Sequence, residues 1–194
     1  MHKRALNTVL MLAAIGSAGP AAAHTGHDLG GLASGFVHPL MGLDHLTVML
    51  TVGAWAALTC GRRAWLPMGC FPLFMAAGAL FALSGLPLGG VEAGIAGSVL
   101  IMGLLLLGRV HLPLIASAAL VALFAVLHGH AHGAEMPMAA SPMAYGLGFV
   151  AATAALHLGG WRLARSLENT AGIVMLRGTG ALIGLFGAWL VWAA

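Results

Sequence analysis

Six long apolar runs dominate this sequence and restrict the environments in which the chain can fold. They cover residues 35–60, 66–86, 91–107, 112–128, 143–160 and 171–192. About 20 apolar residues suffice for a helix to cross the hydrocarbon core of a bilayer. Only 7% of the residues are charged and the mean hydropathy is +0.98, both outside the range of water-soluble domains. The sequence therefore predicts an all-α integral membrane protein with six transmembrane helices, embedded in a lipid bilayer.

The arginines between the runs predict how the helices are oriented. They occur in alternate connections, and the other connections between the runs contain no lysine or arginine. Cytoplasmic loops are enriched in these residues, so both termini of the mature chain are expected in the periplasm, outside a bacterial inner membrane. The formal net charge of +3 forms no basic patch, which excludes nucleic acid as a partner. The arginines concerned are Arg62, Arg63, Arg109, Arg162 and Arg165.

The N-terminal segment, residues 1–23, has the pattern of a secretory signal peptide. It starts with a short cationic stretch, continues with the mostly apolar residues 5–18 and ends in small residues. We expect cleavage after Ala23, which leaves residues 24–194 as a single transmembrane permease domain. The alternative is an uncleaved first helix, although the apolar stretch is short for a membrane span.

Cleavage after Ala23 would make His24 the first residue of the mature chain. Its free α-amine and its imidazole could then chelate one metal ion together, with His27 and Asp28 close by. One hypothesis is that this N-terminus captures metal at the entrance of the protein. The alternative is a polar tail whose histidines have no role.

The segment HPLMGLDH places His38, Asp44 and His45 at the head of the first apolar run. A carboxylate inside hydrocarbon is costly, so such a residue usually faces the protein interior and marks an ion path. In a straight helix His38 and His45 share a face but stand about 10 Å apart along the axis, too far to bind one ion. Pro39 and Gly42 can break the helix, which is tolerated where the backbone lines a cavity. The segment is therefore either broken or contains two stations along a path.

A second group of candidate ligands lies in the stretch HGHAHGAE, which we expect to begin a polar loop over residues 129–142. With one acid at the start of the third helix, these side chains could converge with the first segment on a periplasm-facing site. The alternatives are an exposed histidine-rich loop and acids solvated at the interface. Imidazoles and carboxylates without a thiolate suit Ni²⁺, Co²⁺ or Zn²⁺ better than Mg²⁺ or Cu(I). The candidates are His128, His130, His132, Glu135 and Glu92.

His111 and His157 lie nearer the cytoplasmic ends of their runs. Either could serve an exit path for an ion. Because a solvated or packed histidine is the commoner case, we expect no site at these two positions.

At the two motifs the chain resembles the HupE/UreJ family of nickel/cobalt permeases. HPLMGLDH fits the family's HPxxGxDH signature, and FAVLHGHAHGAE is similar to its second motif. The resemblance implies secondary uptake of Ni²⁺ or Co²⁺ across the inner membrane, feeding a hydrogenase or a urease. By motif position it implies as metal-site residues His38, Asp44, His45, His128, His132 and Glu135.

These observations favour a transporter that is not an enzyme and has no resident cofactor, with Ni²⁺ or Co²⁺ as its substrate. The sequence has no GxxxxGK[ST] phosphate loop, so any coupling to ATP would need another subunit. The runner-up is a membrane-embedded zinc metallohydrolase, in which a metal-bound water attacks a lipid or peptide bond. A bis-histidine haem protein and a metal sensor or storage protein are further alternatives. Homo-oligomerisation is left open.

Overall fold

The computed structural model describes residues 31–136 and 141–193. The predicted signal peptide, residues 1–23, and His24 lie outside the described residues. Within these two ranges all regular secondary structure is helical, which confirms the predicted all-α class. In chain order the helices are α1 (Gly31–Met41), α2 (Leu43–Thr59), α3 (Trp65–Leu83), α4 (Val91–Gly108), α5 (Leu114–Ala134), α6 (Pro142–Ser166) and α7 (Thr170–Ala193), with a short 3-10 turn, Gly61–Arg63, before α3.

Five of these helices, α3 to α7, are long and apolar enough to cross a membrane. The remaining two, α1 and α2, meet the same criteria only as a pair, and they are bent by 85° at the residue between them. Counting this bent pair as one span gives the six spans that the apolar runs predict. The chain is therefore a multi-pass membrane protein.

The first span is broken at Gly42, whose backbone is extended with φ −93° and ψ 119°. Two residues explain why the helix ends here. Pro39 has no amide hydrogen to donate to the preceding turn, and glycine is a poor helix former. Asp44 then stabilises the new helix start, because its Oδ1 accepts a hydrogen bond from the backbone N–H of His45 at 2.8 Å. Of the two alternatives for this segment, the structure contains the broken one.

α5 extends further than expected. The sequence predicted that the fourth helix would end at His128 and that residues 129–142 would form a polar loop, but the helix continues to Ala134. The loop prediction is therefore wrong for the first part of that stretch. The physical reason is that His128 and His132 are one turn apart on the buried face of the helix, with 0% and 3% exposure. These two polar side chains therefore face the interior of the bundle and not the solvent.

The most extensive helix contacts are α3 with α5, α4 with α7, and α6 with both α1 and α2. Small residues allow the backbones to approach closely, as is common between membrane helices. At the α2–α6 crossing, a Cβ on Gly53 would collide with the carbonyl oxygen of His157. Between α3 and α5, a Cβ on Gly129 would collide with the carbonyl oxygen of Met75. These contacts hold α2, α3, α5 and α6 around the candidate site.

The predicted arginine-bearing connections are all short. Arg62 and Arg63 form the turn between α2 and α3, and Arg109 ends α4 with a left-handed backbone, φ 48°. Near the α6–α7 connection Arg165 forms an ion pair of 2.7 Å with Glu168. Successive spans alternate in direction, so these arginines occupy one end of the bundle and the α5–α6 connection the other. The periplasmic placement of that second end remains a prediction.

Candidate metal site

Three side chains from two parts of the chain meet at the end of the bundle where α5 ends. The possible ligand atoms of His38, His132 and Glu135 all lie within 4.8 Å of one another. His38 Nε2 is 3.6 Å from Glu135 Oε2, and the His38 and His132 rings are 4.9 Å apart at 86°. We call these three residues the ligand group. Two imidazoles and a carboxylate at this separation can bind one divalent metal ion after small side-chain adjustments.

Packing of α1 against α6 places His38 in this group. A Cβ on Gly35 would collide with the carbonyl oxygen of Tyr145, so only glycine allows the two backbones to come this close. His38 follows Gly35 by about one turn, and its ring lies 5.8 Å from that of Tyr145. The close contact therefore fixes the position of the His38 imidazole along α6.

The break at Gly42 brings the second histidine of the first motif to the same place. The ring of His45 lies 4.2 Å from the ring of His132 and 5.0 Å from the ring of His128. His38 and His45 therefore both contact His132, which a straight helix would prevent because it separates them by about 10 Å along its axis. With 9% exposure, His45 is buried on the interior side of the ligand group.

Asp44 lies beside the ligand group without belonging to it. Its Oδ1 is engaged by the backbone N–H of His45, and the same oxygen is 3.8 Å from His45 Nδ1. The carboxylate therefore stabilises the start of α2 and places a negative charge next to an imidazole of the site. Its role as a direct metal ligand remains a prediction.

His128 is oriented in the way that metal-binding histidines usually are. Its Nδ1 donates a hydrogen bond to the carbonyl oxygen of Phe124 at 2.8 Å, because a carbonyl oxygen can only accept. This fixes the tautomer and leaves the lone pair on Nε2. Nε2 is buried and has no hydrogen-bond partner among residues 31–136 and 141–193. His128 therefore presents a free ligand atom to the interior.

His132 is the central residue of the site. It is 3% exposed, and neither ring nitrogen has a hydrogen-bond partner within the part of the chain that the structure describes. Leaving a buried polar group unpaired costs about 1–3 kcal/mol. A residue that pays this cost in the folded protein usually binds something, and the neighbouring imidazoles and carboxylate indicate a metal ion.

Two of the predicted site residues lie elsewhere. His130 faces away from the group, where its Nε2 donates to the carbonyl oxygen of Leu86 at 3.1 Å. Glu92 is exposed at the start of α4 and does not join the ligand group. The expected convergence of these two residues on the site is therefore not seen in the structure.

Tyr145, the only tyrosine of the chain, was missed by the sequence reasoning. It is 5% exposed, its ring contacts His38, and its hydroxyl has no partner among the described residues. Phe149, one turn later on α6, covers His132 at 4.3 Å between ring centroids. The one signal in the sequence that could have identified Tyr145 as a candidate is that the chain contains no other tyrosine.

Comparison with known proteins identifies the family of the chain. The sequence profile of the family described as "HupE / UreJ protein" matches residues 12–190. "Protein HupE" of Rhizobium leguminosarum bv. viciae is 38% identical over 180 residues, which cover 93% of this chain and 94% of that protein. No solved structure matches the chain significantly. Because the matches span both halves of the broken first span and every later helix, the chain belongs to the HupE/UreJ protein family.

Proposed function

We propose that the protein is a secondary transporter that imports Ni²⁺, with Co²⁺ as the alternative substrate, across the bacterial inner membrane. The observation that carries this proposal is the ligand group, His38, His132 and Glu135, placed at a break in a membrane span. Irregular backbone at membrane depth is tolerated where it lines a path for an ion. Membership of the HupE/UreJ family, which the resemblance links to nickel and cobalt uptake, supports the same function.

The exposure of the ligand group suggests the order in which an ion meets it. The side chains of Glu135 and His38 are 58% and 32% exposed, whereas His132 is 3% exposed. A hydrated cation would therefore first exchange water for the carboxylate and the His38 imidazole. It would then reach the buried rings of His132 and His45, where protein ligands replace the rest of its hydration shell.

Imidazole donors also provide a way to release the ion. Metal and proton compete for the same ring nitrogens, so metal binding depends on pH and expels protons. The α5–α6 end of the bundle, opposite the arginines, would face the periplasm. The ion would then move from the ligand group toward the arginine-bearing end.

The test is uptake of radioactive Ni²⁺ at trace concentration in cells without their own nickel importers. Wild type is expected to accumulate nickel, and Asp44→Ala and His45→Ala at matched expression are expected to lose most of this uptake. Asp44→Ala removes the carboxylate that accepts from the backbone N–H of His45 in the first turn of α2, and His45→Ala removes the ring that contacts both His132 and His128. A wild type that accumulates neither Ni²⁺ nor Co²⁺ would overturn the proposal.

A zinc metallohydrolase is the second candidate. Three protein ligands with an open position, as in the ligand group, would also fit a catalytic zinc ion. Membership of the HupE/UreJ family favours transport. Release of a soluble product from lipid or peptide by the purified zinc-loaded protein, without metal uptake in cells, would reverse this order.

Tyr145→Phe tests the contribution of the buried hydroxyl beside His38. We expect trace nickel uptake to fall two- to tenfold, because one hydrogen bond is worth about 0.5–1.5 kcal/mol and this hydroxyl is placed to orient a ligand or a metal-bound water. Protein level and thermal stability should stay the same, since the substitution removes only an unpaired polar atom. Uptake equal to that of wild type would show that the hydroxyl has no part in binding.

A further inference from the structure

His157 is a buried histidine that lies outside the ligand group and contacts none of its members. It lies on α6 with 1% exposure, and neither of its ring nitrogens has a hydrogen-bond partner within residues 31–136 and 141–193. Its separation from Tyr145 on the same helix corresponds to about 18 Å, so it lies deep in the bundle and away from the ligand group. The sequence reasoning expected a solvated or packed histidine here.

A packing role does not explain this residue. A buried histidine normally satisfies at least one ring nitrogen, as His128 does through the carbonyl oxygen of Phe124. An apolar side chain of similar size would fill the space next to Phe71 without burying two unpaired nitrogens. His157 therefore costs the fold free energy, and ionisable residues inside a membrane protein usually mark the path of an ion.

A continuous series of aromatic rings connects the ligand group to His157. From His132 the successive distances between ring centroids are 4.2 Å to His45, 5.0 Å to His128, 5.6 Å to Phe71 and 5.1 Å to His157. We call these five residues the ring series. Four of its five members are imidazoles, and the phenyl ring of Phe71 separates the last imidazole from the others.

Two further donor atoms lie near the end of the ring series. Thr153 precedes His157 by one turn on α6, and Met75 follows Phe71 by one turn on α3. The Thr153 hydroxyl donates to Met75 Sδ at 3.9 Å, and both residues are buried. A hydroxyl and a thioether therefore lie one helical turn from His157 and Phe71 on the same two helices.

We propose that His157 is a second binding station for the transported divalent cation, which reaches it from His128 past the ring of Phe71. This inference rests on the proposed transport function. A station with one imidazole and weaker neighbouring donors holds the ion less tightly than the ligand group does. Such weak binding suits transit, because an ion must leave each site as well as enter it.

The first test counts the Ni²⁺ ions bound by the purified full-length protein in detergent at saturating NiCl₂. Wild type is expected to bind two ions per chain and His157→Leu one. The leucine variant should fold at least as well as wild type, because it removes two unpaired buried nitrogens. His111→Leu, which removes an exposed histidine from the α4–α5 connection, is the matched control and should still bind two ions.

The rate of nickel uptake distinguishes a binding station at His157 from a residue with only a structural role. His157→Leu is expected to lower the maximal nickel uptake rate at least tenfold while the half-saturating concentration stays within twofold of wild type, since the ligand group is intact. A merely structural role would change the amount of folded protein and leave the stoichiometry unaltered. Two ions bound by His157→Leu, whatever its uptake rate, would overturn the second station.

A measurement on the wild-type protein avoids dependence on the variant. Exchange of the histidine C2 hydrogen with deuterium, followed by mass spectrometry, reports each histidine separately. Added Ni²⁺ should slow this exchange at His157 and leave His111 unaffected; an unaffected His157 would overturn the inference.

If wild type neither binds nor takes up nickel, the transport function itself fails. If it transports nickel and His157→Leu behaves identically, only the second station fails.

Discussion

Replacing His132 with alanine is expected to reduce trace nickel uptake at least about 100-fold, to the level of cells without the protein. Changes that only perturb the support of a metal ligand already cost about 10–100-fold in affinity, and His132 is the residue on which the site converges. Its ring contacts His38 on one side and His45 on the other. Removing it disconnects the exposed and buried parts of the site.

His130→Ala is the matched control for this experiment. It removes the same side chain from the same helix two residues away, but His130 bonds to the carbonyl oxygen of Leu86 outside the ligand group. We expect its uptake to stay within about twofold of wild type, because one net hydrogen bond is worth about 0.5–1.5 kcal/mol and none of it concerns metal binding. Equal losses in both variants would instead indicate general damage to α5.

Gly129→Ala is expected to destabilise the fold by about 1–3 kcal/mol or more, the usual cost of overpacking a close contact. The added Cβ would collide with the backbone carbonyl of Met75, which cannot rotate away as a side chain could. α3 and α5 would have to separate, and His128 would move with its neighbour. The midpoint of thermal unfolding in detergent, followed by size-exclusion chromatography, should fall and nickel uptake should fall with it.

Gly69→Ala provides the comparison. Gly69 lies on the exposed side of α3, and a Cβ there would meet no atom of the described residues within 4 Å. Alanine also favours the helix by about 1 kcal/mol relative to glycine, so the unfolding midpoint should stay the same or rise. If Gly129→Ala were as stable as Gly69→Ala, the close backbone contact between α3 and α5 would not exist in the membrane.

The spans could be predicted from the sequence because apolar length is a local property with a direct physical meaning. The break in the first span could be anticipated only as one of two alternatives, since Pro39 and Gly42 permit it but do not require it. The end of α5 was predicted wrongly because histidine and glycine are typical of polar loops. In the interior of a bundle the same residues form the ligand-bearing face and the close contact of a helix.

The division between His132 and His130 follows from helical geometry. Residues four apart share a face, whereas residues two apart are rotated by about 200°. Once α5 is known to continue past His128, its histidines separate into an inner pair, His128 and His132, and an outer one, His130. The loop prediction concealed this geometry, although His128 and His132 were already the stronger candidates.

Tyr145 and His157 could not be assigned from local sequence. Their environment depends on how α6 packs against α1, α2 and α3, which are distant in the chain. The backbone contact of Asp44 could not be assigned either, since its Oδ1 accepts from the amide of the next residue only because the helix restarts there. Its role as a metal ligand stays a prediction.

Because the chain breaks at Gly42 and α1 is bent away by 85°, the longer straight part of the first span is α2, with 17 residues. At 1.5 Å per residue it is about 26 Å long, less than the hydrocarbon thickness of about 30 Å. The ligand group lies at the head of this short helix, so in the proposed transport an ion bound there still has the length of α2 to travel. A potential that is negative inside favours inward movement of charge by about 2.3 kcal/mol per elementary charge and 100 mV. A divalent ion that moved from the break to the arginine-bearing end, as proposed, would carry two elementary charges through this potential, so uptake should respond steeply to it.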